Sequence, residues 1–196
     1  MIINKGLPEN YKNSVANLFL SALGEKFIPI LGENNKAKQL LELSINQANC
    51  FSIENESELL GFLAFQINKT TFLNPPLTTI ISLYGVFGGI LKAIGLSILR
   101  HKTESNEIYI EAVAVNELAR GKGIGTKLFD AIFQLANEKG YNNITLDVID
   151  INPRAKELYE RMGFEVVKQS KVWPLNKLIG WSFNEVFLMK KKLVGI

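Results

Sequence analysis

Arg120-Gly121-Lys122-Gly123-Ile124-Gly125-Thr126 is the stretch whose residue types most directly prescribe chemistry. Glycines at alternate positions leave the backbone amides uncovered by side chains. The pattern before this stretch predicts a strand, and the pattern after it predicts a helix. That helix presents its free N–H groups and the positive end of its dipole to one point. Such a turn binds anions and suits a pyrophosphate. Arg120 and Lys122 add positive charge at its mouth. A dinucleotide turn wants G-x-G-x-x-G, but here the third glycine comes one position early and Thr126 fills the expected place. The G-x-x-x-x-G-K-S/T phosphate loop is absent. A second constellation lies just upstream. Glu107 and Glu111 are spaced by four, with Tyr109 between them, and share one face of a regular strand. A central strand seldom carries two carboxylates unless they have a partner or a task.

These residues need elements to hold them. Glu107 to Val115 reads as a strand, and Gly123 to Lys139 as an amphipathic helix with Ile124, Leu128, Ala131, Ile132 and Leu135 on its apolar stripe. Gly140 ends that helix. Asn143 to Ile149 reads as a strand, Pro153 to Met162 as a helix with proline in its first turn, Phe164 to Lys168 as a strand, and about Val186 to Leu193 as the last strand. Upstream, helices are expected over Asn10 to Ala22, stopped by Gly24, and over about Asn35 to Asn49. Cys50 to Ile53 and Glu58 to Phe72 read as a hairpin turned at Asn55, Glu56 and Ser57. Strand-helix-strand repetition in the second half implies an α/β fold with a mixed sheet flanked by helices.

Composition narrows the field. The chain has 196 residues, 47% hydrophobic and 21% charged, which suits one folded domain over 1–196. A net charge of +3 is too small to argue for nucleic acid, so no such partner is expected. The lone Cys50 excludes an intramolecular disulfide and fits a cytoplasmic location. The N-terminus lacks a signal-peptide pattern. His101 is the only histidine and has no nearby cysteine, and no zinc spacing occurs, so no metal is expected.

At Arg120, Gly123 and Gly125 the sequence resembles the GNAT superfamily of acyl-CoA-dependent N-acyltransferases, whose pyrophosphate motif is Q/R-x-x-G-x-G/A. Ala112-Val113-Ala114-Val115 is similar to the family's fourth strand, where a bulge splays it from the fifth, here Ile144 to Val148. Asn152-Pro153-Arg154-Ala155-Lys156-Glu157-Leu158-Tyr159 and Met162-Gly163-Phe164 resemble its N-x-x-A-x-x-L-Y-x-x-x-G-F pattern, and Phe187 to Leu193 its closing strand. The likeness is strongest over Glu107 to Phe164 and leaves out about 75–105.

The resemblance implies a splayed sheet and a direct transfer from acetyl-CoA to a primary amine of a small molecule or peptide. Backbone groups of Val113 and Val115 would bond the acetyl carbonyl and pantetheine arm. The amides from Gly121 to Thr126 would hold the pyrophosphate, and Asn152 would bond the cofactor near its arm. The attacking amine must lose a proton and the leaving thiolate must gain one or accept a hydrogen bond. Tyr159 stands at the family's tyrosine position, and a phenol can donate to sulfur. Glu107 matches a position where some members carry a catalytic glutamate, and Glu111 one where others have an acidic residue beside the acetyl group. Glu111 lies nearer the splay and is the favoured base. Two other readings stay open: a transferase for a longer acyl-CoA, and a non-catalytic acyl-CoA-binding or sensing module.

Leu77 to Leu99 is an apolar insertion with one charge, Lys92, and passes as a membrane span by length. A crossing would put two strands of one sheet on opposite sides of a bilayer. The expectation is therefore an insertion packed over the acceptor side of the cleft or against a second subunit in a homodimer. A membrane-surface helix is the second reading, with Arg100, His101 and Lys102 facing anionic headgroups.

Overall fold

The computed structural model describes residues 1–56 and 58–193. Ser57, at the expected hairpin turn, lies outside them. Strands β1 (Ile2–Lys5), β2 (Cys50–Asn55), β3 (Glu58–Ile67), β4 (Glu107–Val115), β5 (Asn143–Ile149), β6 (Glu165–Lys171) and β7 (Glu185–Lys192) form one mixed sheet in the order β1-β2-β3-β4-β5-β7-β6. Helices α1 (Lys12–Leu31), α2 (Asn35–Ser44), α3 (Leu77–Ile98), α4 (Ile124–Lys139), α5 (Pro153–Arg161) and α6 (Leu175–Ile179) complete the fold.

Side-chain alternation along the strands feeds two cores. Leu63 and Phe65 join Ile124, Leu128, Phe129 and Ile132 of α4 in one cluster. Phe62 and Ala64 join Val15, Ala16 and Phe19 of α1 in another. Burying each of these large side chains stabilises the fold by roughly 1.5–3 kcal/mol. A third cluster joins Ile30 and Leu31 of α1, Leu40 of α2, Ile80 of α3, and Trp181 and Phe183.

Several expectations needed correction. α1 runs through Gly24 to Leu31, and Gly32, at φ 86°, ends it instead. Burial of Ile30 and Leu31 outweighs the roughly 1 kcal/mol propensity cost of Gly24 and the presence of Pro29 inside the helix. α2 stops at Ser44 and gives way to a separate short turn of helix over Gln47–Asn49. β3 stops at Ile67 rather than Phe72, because Asn68 takes φ 55° and Ile67 and Thr70 close a turn. β1 was not foreseen; it is an exposed edge strand without alternation, paired with β2. The short α6, for which no element was expected, lies between β6 and β7.

The apolar insertion folds as α3, but Gly85 breaks it at φ 74° and ψ 172°, a conformation essentially reserved for glycine. The two arms are roughly 12 Å and 20 Å long at about 1.5 Å per residue. Neither reaches across a hydrocarbon layer of about 30 Å. The arms pack so tightly that a Cβ on Gly89 would sit 2.9 Å from the Ile81 Cα.

Candidate functional site

β4 and β5 run parallel from the Glu107–Asn143 pair to Ile110–Leu146, and there the ladder stops. β5 continues beside β7 as far as Ile149, while β4 continues beside β3 as far as Val115. The two central strands therefore part just beyond Ile110, and the β4 edge carrying Val113 and Val115 is open toward β5. The cause is a bulge. Ala64 pairs with Ala112 and Phe65 with Ile110, so Glu111 has no opposite residue. Such an insertion bends the strand and reverses its alternation. Ile108 and Ile110 face the α4 core before the bulge; Val113 and Val115 face it afterwards.

The glycine turn opens beyond the end of β4. Gly121 and Gly123 have φ of 77° and 73°, and Gly123 is the left-handed residue before α4. A Cβ at Gly121, Gly123 or Gly125 would meet nothing within 4 Å, so the backbone stands bare. The first backbone bond at this end of α4 is Lys127 N–H to Gly123 C=O, 3.1 Å. The amides before it remain free donors at a helix N-terminus. Ile124 is buried in the core, which anchors the turn, while Lys122 and Thr126 are exposed. Arg120 is exposed and pairs with Glu117 at 3.2 Å. These residues fit a pyrophosphate, and the open β4 edge fits an extended arm with alternating donors and acceptors.

Tyr159 of α5 packs into the same cluster as Val113, Val115 and Ile124. Its ring lies 5.9 Å from Phe129 and 6.2 Å from Phe164. The residue as a whole is half-buried, but burial of its hydroxyl pushes its pKa up to about 12, so it holds its proton. Asn152 is the N-cap of α5 and accepts from the Ala155 N–H at 3.3 Å. Its side-chain oxygen is therefore engaged in capping.

The two carboxylates differ in kind. Glu111, at the splay, accepts from the Phe72 N–H at 2.8 Å. Burial outweighs the backbone donors from Phe72 and Leu73 and pushes its pKa up to about 7. That places it where a group can exchange protons at neutral pH. Glu107 is buried at 3% exposure, three pairs short of the splay. Burial alone would raise its pKa. A 2.9 Å hydrogen bond with His101, the charge of that ring when protonated and the charge of Lys190 outweigh burial and hold it below the ordinary range.

Sequence reasoning missed Asp147 and Lys26, and it expected His101 to face headgroups, whereas that ring turns inward. The His101 imidazole stacks on Tyr109 with centroids 4.0 Å apart and planes 5° apart, while it bonds Glu107. The Tyr109 hydroxyl donates to Asp147 at 3.0 Å. Lys26 of α1 has its pKa lowered by burial, with the charge of Asp147 acting in the opposite direction. No periodic spacing links these positions; the crossover from the insertion into β4 brings His101 over Tyr109. Among the described residues, no group of three His, Cys, Asp or Glu side chains converges as metal ligands do. Two shallow surface depressions, near Gln47 and near Asn34, include no residue of the turn or the splay.

A family model described as the acetyltransferase (GNAT) family matches residues 18–164. The chain belongs to this family. Its members use acetyl-CoA as cosubstrate, which is the ligand that the bare turn and open edge fit. A thialysine N-epsilon-acetyltransferase of Bos taurus is 29% identical over 100 residues, covering 50% of this chain and 59% of that relative. An L-ornithine N5-acetyltransferase of Arabidopsis thaliana is 38% identical over 72 residues, covering 37% of this chain and 30% of that protein. The chain thus spans less than two thirds of the length of these relatives. A solved N-acetyltransferase of Staphylococcus aureus Mu50 superposes with a TM-score of 0.66 at 14% identity, covering 97% of this chain and 100% of its own. That likeness establishes the fold.

Proposed function

We propose that this chain transfers an acetyl group from acetyl-CoA directly to a primary amine of a small molecule or peptide. What supports the reading is the parting of β4 from β5 beyond Ile110, with a bare glycine turn after β4, Glu111 at the bulge with its pKa pushed up to about 7, and Tyr159 packed in one cluster with Val113 and Val115. The turn holds the pyrophosphate through the amides from Gly121 to Thr126, with Arg120 and Lys122 at its rim. The β4 edge at Val113 and Val115 takes the arm as an added strand, and Asn152 offers its amide nitrogen nearby. Glu111 takes the proton that the amine loses as its nitrogen bonds to the thioester carbonyl. Tyr159 donates to the sulfur as the carbon–sulfur bond breaks, so CoA leaves as the thiol. Glu107, paired with His101 at the closed end of the gap, is the second candidate for the base. No metal takes part in this scheme. The buried free thiol of Cys50 supports a cytoplasmic setting.

Two relatives are named for acting on thialysine and ornithine, so amines on flexible side chains are the acceptors to screen first. The test is calorimetric titration with acetyl-CoA, with NADH and ATP as controls. Selective binding, weakened at least about tenfold by Gly123→Asp, a change of roughly 1.4 kcal/mol, is the expected result. A carboxylate there faces the anion directly. Equal binding of all three ligands, or none, overturns the proposal.

A further inference from the structure

Among the described residues, nothing covers the outer face of α3. Its inner stripe, including Ile80, Leu83, Ala93 and Leu96, packs into the third core cluster. A Cβ on Gly95 would meet Ile30 of α1 at 2.7 Å, so this arm lies close against α1. On the opposite side Phe87 is 88% exposed, Leu91 69% and Ile94 56%, with Val86, Ile90 and Ile98 also exposed. Positions 87, 91, 94 and 98 recur at helical spacing and make one continuous apolar stripe. Monomeric soluble proteins seldom present such a stripe without a partner for it.

Charge decides what the partner is. From Leu59 to Thr103 the chain contains no Asp or Glu. Lys92 is half-buried with its ammonium 5.9 Å from the centre of the Tyr84 ring, and Arg100 and Lys102 follow the end of the stripe. Among the described residues, none of the three is in an ion pair. A second copy docked symmetrically on this face would bring like charges together with no carboxylate in the segment to offset them. An anionic lipid surface offers the opposite sign around an apolar layer. Lysine and arginine stems can lie along that layer while their heads reach phosphates. The break at Gly85 rules out a crossing and leaves short arms suited to lying in the interface.

We infer that the Val86–Ile98 arm of α3 docks on anionic phospholipid membranes, its apolar stripe among the acyl chains and Arg100 and Lys102 against the headgroups. The test is co-sedimentation of the full chain with phosphatidylcholine vesicles, with and without phosphatidylserine. Strong partitioning onto the phosphatidylserine vesicles, weakened by added salt, is expected. Phe87→Asp with Leu91→Asp should reduce it at least tenfold while the thermal melt stays that of the parent. Arg100→Glu with Lys102→Glu should also reduce it, by roughly fivefold for each charge removed. Three results overturn the inference. One is no partitioning at low salt. Another is binding indifferent to both double variants. The third is a dimer in size-exclusion chromatography that the Phe87 and Leu91 variant splits, which would assign the face to a second copy. None of these depends on the acetyl-transfer reading, which stands or falls on the calorimetry.

Discussion

At the scale of single residues, the site separates into groups that titrate and groups that do not. Glu111 is raised by burial from an ordinary value of 4.5 to about 7, whereas Glu107 is held ionised through His101. A base must be deprotonated to act, so kcat/KM should rise with pH up to about 7 and then level. Glu111→Gln should remove that limb and lower kcat by about a hundredfold or more, as read from a pH series of initial rates. The same shift bears on stability with a definite sign. A raised carboxyl favours the folded state fully below 4.5 and loses that contribution as pH rises through about 7. The parent should therefore lose ground against Glu111→Gln between those values in urea titrations. Tyr159 has a different duty. Its pKa of about 12 makes it a donor throughout the physiological range. Tyr159→Phe should cut turnover by about a hundredfold while acetyl-CoA affinity in calorimetry stays unchanged. A chain that only senses acyl-CoA would show no turnover to lose, and that outcome would sink the role given to the phenol.

At the scale of elements, glycines set how closely α3 packs, and two neighbours make a controlled comparison. A Cβ on Gly89 would press on the Ile81 backbone at 2.9 Å, while one on Gly88 would meet the Tyr84 Cβ at 3.5 Å, an ordinary contact. Gly89→Ala should destabilise by about 1–3 kcal/mol through overpacking. Gly88→Ala should be neutral or stabilise by up to about 1 kcal/mol through helix propensity. Chemical denaturation of both variants checks the pair; equal effects would mean that the arms do not pack closely. Sequence could not foresee this break, because four glycines in an apolar run lower helix propensity without saying which one turns the chain. It did make β4, α4, β5 and α5 legible, since each has a period of its own and a glycine, proline or asparagine at its end. The parting of β4 from β5 was legible through resemblance, but its cause at Glu111 needed the register of β3. The His101–Glu107 pair escaped because a contact between a loop and a strand leaves no repeat to find. β1 escaped because its residues are mostly exposed and do not alternate.

At the scale of the whole molecule, the sheet separates the α4 core from the α1 core, so a ligand at the turn and a probe across the sheet report on the same folding equilibrium. Cys50 supplies that probe. It is fully buried on β2, between β1 and β3, and lies in the α1 core. Burial also pushes its thiol pKa far up, so the folded protein holds almost no thiolate to react. Labelling by a thiol reagent should thus require opening of the sheet, and its denaturant dependence should match that of global unfolding. Acetyl-CoA binds the folded chain alone in this account. It should slow labelling about a hundredfold at a concentration a hundred times its Kd, although the turn and the thiol belong to different cores. Labelling slowed by acetyl-CoA in the parent but not in Gly123→Asp would tie the ligand to the turn and the turn to the whole fold. If labelling ignores the ligand and depends only weakly on denaturant, β2 opens by itself and the two cores do not unfold as one unit. A loosened α3 separates these cases further, because its cluster does not contain Cys50. Gly89→Ala should speed labelling only as far as it lowers global stability, which equates the labelling change with the change measured by denaturation.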